Sequence, residues 1–206
     1  MDRIMTTFLL IRHAHHDMVG KAIAGRMSGV TLTPEGESQA EYLAEQMAMM
    51  PIDRIYSSPR ERTQATAAAI AGFLDLEVQT CAGLDEIEFG EWQGRTFEDL
   101  EDDPAWRRFN RFRSGARTAG GEFMLQVQVR MVSVLEDLRT RFPGEVIALV
   151  SHSDPIKATI ACYAGISLDL MLRIEISPAS ISIISLDDYG PYILCVNQTG
   201  RSPRVT

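Results

Sequence analysis

Lysine is almost missing from this chain of 206 residues: Lys21 and Lys157 are the two present, and every other cation is an arginine. The cations are thus nearly all guanidiniums, which supply rigid bidentate donors suited to anions. Cysteine is scarce and odd in number; Cys81, Cys162 and Cys195 are far apart and set among apolar neighbours. That pattern excludes a disulfide frame and a metal knuckle, and it is expected of reduced core thiols in a cytosolic protein. Positive charge is in deficit, with a net charge of −8, which argues against nucleic acid or an anionic membrane as the main partner. No apolar run approaches the ~20 residues of a membrane span. The first seven residues include Asp2 and Arg3 and have no signal-peptide core, so a cytoplasmic protein is expected. Internal repeats and low-complexity segments are absent as well.

A 45% hydrophobic content over this length is enough for a core without staples, so one domain over residues 1–206 is expected. Residues 7–11 form an apolar run that stops at Arg12-His13, the pattern of a buried first strand. Thr33 and Pro34 then open a helix as N-cap and first residue, and Ala40, Leu43, Ala44 and Met47 form its apolar stripe. Strands are expected over 52–57, 77–81 and 146–151, and helices over 60–74, 124–142 and 155–164. A closing hairpin is expected from 180–186 and 192–196. Strands alternating with helices predict an α/β fold, a three-layer α/β/α sandwich around a mostly parallel sheet, made mixed by the hairpin. Residues 89–123 break the pattern with both tryptophans, an acidic stretch and an arginine cluster. They are expected to be an insertion folded over the sheet edge, covering the site.

The densest chemical signal is Arg12-His13-Ala14-His15-His16-Asp17, placed where the first strand ends. The fourth histidine, His152, also follows a strand, and ligands of open α/β sheets bind at the carboxyl ends of strands. Parallel strands end at one edge, so His13 and His152 can converge. Two chemistries compete for them. His13-x-His15-x-Asp17 resembles the start of a metallohydrolase cluster, but the next position is Met18 and only His152 remains to complete the ligand set. The alternative is an anion pocket. Arg62 begins a helix after Ser57-Ser58-Pro59, and hydroxyls, a helix N-terminus and guanidiniums together suit a phosphoryl group. A phosphate monoester also needs a proton donor for its leaving oxygen. Asp85, Glu86, Glu88 and Glu91 all qualify by position, and spacing does not choose among them.

These segments resemble the histidine phosphatase superfamily, the phosphoglycerate-mutase-like proteins. Arg12-His13-Ala14 is similar to the opening Arg-His-Gly motif, with alanine for glycine. Gly25-Arg26 with Leu32-Thr33-x-x-Gly36-x-x-Gln39-Ala40 is similar to the next segment, and Ser57-Ser58-Pro59-x-x-Arg62-x-x-x-Thr66-Ala67 to the second arginine motif. Leu84-x-Glu86-Ile87-x-x-Gly90-x-Trp92-x-Gly94 resembles the acid segment, and Gly120-Gly121-Glu122 and Val150-Ser151-His152 complete the set, with Ser153 where the family often has glycine. The resemblance implies a phosphohistidine mechanism: His13 as nucleophile, Glu86 as acid and then base, and Arg12, Arg62 and His152 around the phosphoryl oxygens, with Ser153 adjoining. Many members carry a phosphate-binding asparagine six residues after the nucleophile, where this chain has Val19. His15, His16 and Arg26 are the candidates to replace that contact.

The function so implied is a phosphomonoesterase acting on a small phosphorylated metabolite, with neither metal nor cofactor. A mutase is the first alternative, disfavoured by the modest insertion and the short chain after the last strand. The metal-dependent hydrolase on His13, His15 and Asp17 and an inactive phosphate-binding protein are the others. Trp92 and Trp106 are expected as core anchors. Arg107, Arg108, Arg111, Arg113 and Arg117 are expected to pair with the acids of 98–103 on a solvated face, the other use being a grip on an anionic substrate.

Overall fold

The computed structural model describes residues 4–200, so the reading made on Asp2 and Arg3 lies outside it. In chain order the elements are β1 (Thr6–Arg12), α1 (Pro34–Met47), β2 (Arg54–Ser57), α2 (Glu61–Leu74) and β3 (Val78–Thr80). There follow the short helices α3 (Phe97–Leu100) and α4 (Pro104–Arg111), then α5 (Met124–Arg141), β4 (Val146–Ser151) and α6 (Ser153–Tyr163). β5 (Ile181–Asp187) and β6 (Gly190–Gln198) form the closing hairpin. Its turn is tighter than expected, because the Asp187 Oδ1 atom accepts the N–H groups of Tyr189 and Gly190 and closes it at Asp188-Tyr189.

The sheet runs β3-β2-β4-β1-β5-β6. The first four strands are mutually parallel, and β5 is antiparallel to β1, as β6 is to β5. Side-chain alternation divides it into two buried faces. Phe8, Leu10, Ile147 and Leu149 join the core under α5 and α6, while Leu9, Ile11, Ala148 and Val150 join the core under α1 and α2. A continuous apolar run at residues 7–11 is thus a strand covered on both sides. Helix α1 starts as its sequence dictates, the Thr33 hydroxyl accepting the Gly36 N–H at 3.1 Å.

Helix α6 begins at Ser153, two residues before Pro155, with His152 as its N-cap residue. A proline in the first turn costs nothing there, because those N–H groups have no intrahelical partner. The earlier start aims the helix N-terminus at the ends of β1 and β4. Residues 89–123 dock on the loop after β1: Ile23 donates to Arg95 O, Gly94 to Ile23 O, and Phe97 to Lys21 O. Trp92 is fully packed against Phe109 and Trp106, as a core anchor should be, whereas Trp106 is only partly buried and also lines a cavity.

Two expectations are corrected. None of the three cysteines is a core residue: Cys162 is exposed, and Cys81 and Cys195 are half-buried, because Cys195 lies on the edge strand β6 and Cys81 on the loop leaving β3. Of the five arginines expected to pair with the acids of 98–103, Arg107 does so, with Asp102. Arg113 does not: it is 3% exposed and pairs with Asp154 at 2.7 Å.

Candidate active site

Register decides what converges. Arg12 is paired with Ser151 across β1 and β4, and the His13 N–H donates to Ser151 O at 3.0 Å. His13 and His152 therefore leave neighbouring strands side by side, with ring centroids 5.2 Å apart. The His13 Nδ1 atom lies 2.8 Å from Ala14 O. A carbonyl only accepts, so Nδ1 carries the proton and Nε2 carries the lone pair. The Ala14 N–H donates to the Thr66 Oγ1 atom at 3.0 Å, and that hydroxyl donates to Arg62 O at 2.8 Å, which ties the loop to α2. Burial, with Arg62 and Arg12 alongside, holds His13 well below the usual imidazole range. It is a neutral imidazole with a fixed tautomer, the state a nucleophile requires.

Arg62 stands in the first turn of α2 but is only 1% exposed. Its Nη2 donates to Gly25 O at 2.7 Å and to the His152 Nδ1 atom at 3.2 Å, while Nε and Nη1 have no partner among the described residues. Arg12 donates from Nη1 to Ile176 O at 2.6 Å, and its Nε is likewise unpartnered. Buried guanidinium donors left open are costly unless an anion completes them. Both arginines line one cavity of about 300 Å³, together with His13, His16, Ser153 and Glu86. His152 stands behind that wall, fully buried. Because its Nδ1 accepts from Arg62, its Nε2–H donates to the Ser58 hydroxyl at 2.8 Å, which donates in turn to the Asp85 Oδ1 atom at 3.2 Å. This chain orients Arg62.

The four carboxyls that spacing left open differ in their surroundings. Asp85 is taken by Arg60 at 2.9 Å, Glu88 faces Arg26 at 3.5 Å, and Glu91 is exposed. Glu86 alone of the four lines the cavity. Its Oε1 accepts the Ile87 N–H at 2.9 Å, and its Oε2 lies 3.8 Å from the His152 Nδ1 atom. Burial, then the nearby Asp154 charge, pushes its pKa up to about 7. A carboxyl so tuned is half protonated near neutrality, as an acid that later serves as base should be. Burial would raise Asp154 too, but Arg113 beside it holds it below its ordinary value.

Three candidates for the contact missing at Val19 are now separated. His15 turns away: its Nδ1 meets the Thr33 hydroxyl at 3.1 Å, and its N–H donates to the Gln39 Oε1 atom at 3.0 Å. Its carbonyl lies 2.0 Å from where a Cβ on residue 36 would sit, so only glycine lets α1 pack there. Arg26 also misses the cavity. Its Nε donates to Glu86 O at 2.8 Å and its Nη2 meets Glu122 at 2.8 Å, so it braces the acid loop from beneath. His16 does line the cavity. With His15 bonded to Thr33 and Asp17 exposed, His13, His15 and Asp17 do not gather, and no group of three His, Cys, Asp or Glu side chains among the described residues is placed to hold a metal ion.

Sequence reasoning missed Asn110 and Asp154, which share the cavity wall with Arg113, an arginine for which it preferred a solvated face over a grip on an anionic substrate. It also missed Arg130, whose Nη2 donates to Glu86 O at 3.0 Å. Asp154 sits two residues after His152, and that proximity was the available signal. Nothing local marks Arg113 or Arg130.

A sequence profile of the histidine phosphatase superfamily (branch 1) matches residues 8–199. Phosphoserine phosphatase 1 of Hydrogenobacter thermophilus is 32% identical over 200 residues, which cover 95% of this chain and 93% of that one. A probable phosphoglycerate mutase of an Enterobacter species is 28% identical over 187 residues, 89% of this chain and 86% of that one. Among solved structures, an Entamoeba histolytica phosphoserine phosphatase mutant in complex with phosphoserine superposes with a TM-score of 0.86 at 29% identity, covering 95% of this chain and 98% of that one. The same organism's enzyme in complex with 3-phosphoglyceric acid gives a TM-score of 0.84 at 30% identity and the same coverage. The chain, with its mixed α/β sheet and its paired histidines and arginines at two strand ends, belongs to the histidine phosphatase superfamily and is a phosphoric monoester hydrolase.

Proposed function

We propose that this phosphatase hydrolyses a small phosphorylated metabolite through a phosphohistidine on His13, with no metal taking part. The observation that carries the reading is the fixed tautomer: the Nδ1 proton is held on Ala14 O, so Nε2 is free to attack beside unpartnered guanidinium donors. In the first step Nε2 forms a bond to phosphorus, and the ester P–O bond breaks with its electron pair on the leaving oxygen. That oxygen takes the Glu86 proton. In the second step the Glu86 carboxylate takes a proton from water, whose oxygen attacks phosphorus. The P–N bond breaks, its pair returns to Nε2, and phosphate leaves. Arg12 and Arg62 neutralise the phosphoryl oxygens in both steps, aided by the N-terminus of α6 at Ser153.

The rest of the cavity favours a substrate with a second charged group. Arg113 lines it with a buried, unpartnered Nε, and Asp154 lies beside it, so a carboxylate and an ammonium each find a counter-charge. Phosphoserine has both groups and fits a space of about 300 Å³. The test is a panel of phosphorylated metabolites assayed for phosphate release with and without EDTA. Phosphate released from phosphoserine, undiminished by EDTA, is expected. Activity lost to EDTA and restored by zinc contradicts the metal-free reading. Isomerised phosphoglycerate without phosphate release makes the protein a mutase, and binding without turnover makes it a phosphate-binding protein.

A further inference from the structure

A second imidazole shares the cavity with the nucleophile. His16 is 4% exposed, and its ring centroid lies 5.0 Å from that of His13, with the planes tilted by 35°. Its Nδ1 accepts the Met18 N–H at 3.3 Å, so in the neutral ring the proton sits on Nε2. That Nε2–H has no hydrogen-bond partner among the described residues. Burial, then Arg62 and Arg12 facing the ring, lowers its pKa to about 4, and it stays neutral at pH 7. The two cations that hold His16 neutral are those that flank His13. Three residues on, Val19 lines the same cavity and offers no donor.

We propose that His16 is a catalytic residue whose Nε2–H donates a hydrogen bond to a nonbridging oxygen of the phosphoryl group as that group moves onto and off His13. The proposal rests on the phosphohistidine reading of the site. The His16 proton is not transferred; it remains on Nε2 while the P–O and P–N bonds exchange. A neutral donor suits this position. Arg12 and Arg62 already supply the charge, and a third cation against His13 would oppose the partial positive charge that its ring acquires on attacking phosphorus. Fixed by Met18, the ring also needs little reorganisation when the anion arrives.

The experiment compares His16→Ala and His16→Gln with the unaltered protein, with His13→Ala alongside. It measures kcat/KM for a phosphomonoester and the inhibition constants of vanadate and inorganic phosphate. Loss of one preorganised donor should lower kcat/KM of His16→Ala by roughly 10²-fold and weaken vanadate by a similar factor, with a smaller effect on phosphate. Glutamine should recover much of both, because its amide nitrogen reaches about as far from the backbone as imidazole Nε2. Two results overturn the proposal. One is His16→Ala with kcat/KM and vanadate inhibition unchanged. The other is a loss that glutamine does not relieve and that moves vanadate and phosphate equally, the mark of a ring that only packs the loop. Failure of the phosphohistidine reading is a separate result, seen as turnover surviving in His13→Ala, whereas the inhibition constants of the His16 variants report binding directly.

Discussion

Arg62 and Glu86 are both ionisable groups in one buried cavity, and the proposed mechanism uses them in opposite states, Arg62 charged and Glu86 neutral at the start of turnover. Arg62 keeps open donors that only an anion completes, while Glu86 is held near the protonation midpoint at pH 7. Turnover should therefore need Glu86 protonated and His13 neutral. The expected kcat/KM profile falls above about pH 7 through Glu86 and falls at acid pH through His13, well below the ordinary imidazole value. Glu86→Gln should abolish the alkaline limb. It should also slow alkyl phosphates by roughly 10²–10⁴-fold while slowing aryl phosphates little, because a phenolate leaves without a proton. Equal losses for the two ester types would remove Glu86 from the mechanism. Stability carries the same signature. A folded pKa near 7, above the unfolded value of about 4.3, means the folded state binds more protons in that window, so this group's contribution declines as pH rises through it. Glu86→Gln should raise the melting temperature at pH 8 and not at pH 4. At this scale Arg62 was legible because a helix start, two serines and an arginine form one local pattern. The pairing of Arg113 with Asp154 was not, since the two lie 41 residues apart and only the folded chain joins them.

The elements locate Glu86 as firmly as they locate His13. The loop bearing Glu86 is gripped through its carbonyl by Arg26 and Arg130, and both arginines also meet the Glu122 carboxylate, at 2.8 and 3.4 Å. Glu122 lies beside Gly121, where a Cβ would come within 1.9 Å of Glu88 O. The Gly120-Gly121-Glu122 signal was thus correctly noticed in the sequence, but its purpose is the close approach of two loops, a relation that no linear pattern displays. Arg26 illustrates the same limit: its position near the motifs suggested substrate, yet its side chain is committed to the framework. Arg26→Met should accordingly lower kcat by about tenfold or more by loosening Glu86, with KM and vanadate inhibition little changed. Steady-state kinetics with vanadate titration checks this, and a raised KM with normal kcat would return Arg26 to the substrate. The start of α6 was misplaced because Pro155 marks a first turn and not a first residue.

Across the whole molecule, the register of β1 with β4 does the assembling. Pairing Arg12 with Ser151 brings together two histidines 139 positions apart, and the helix after each adjoining strand turns its N-terminus to the same edge. That much followed from the sequence, because parallel strands share a carboxyl edge and apolar runs reveal buried strands. Cavity shape did not follow. It depends on how residues 89–123 dock on the loop after β1, through backbone bonds such as Phe97 N–H to Lys21 O that any residue but proline could donate. The proposed mechanism has one direct chemical consequence, that phosphorus is bonded to the Nε2 atom of His13 during turnover. Rapid-quench labelling with a radiolabelled phosphomonoester, followed by peptide mapping under alkaline conditions, tests it. The label should appear on His13 within the first turnover, be lost in acid and survive base, and be absent from His13→Ala. Label on a serine or on another histidine, or full turnover in the absence of any labelled protein, would contradict the account.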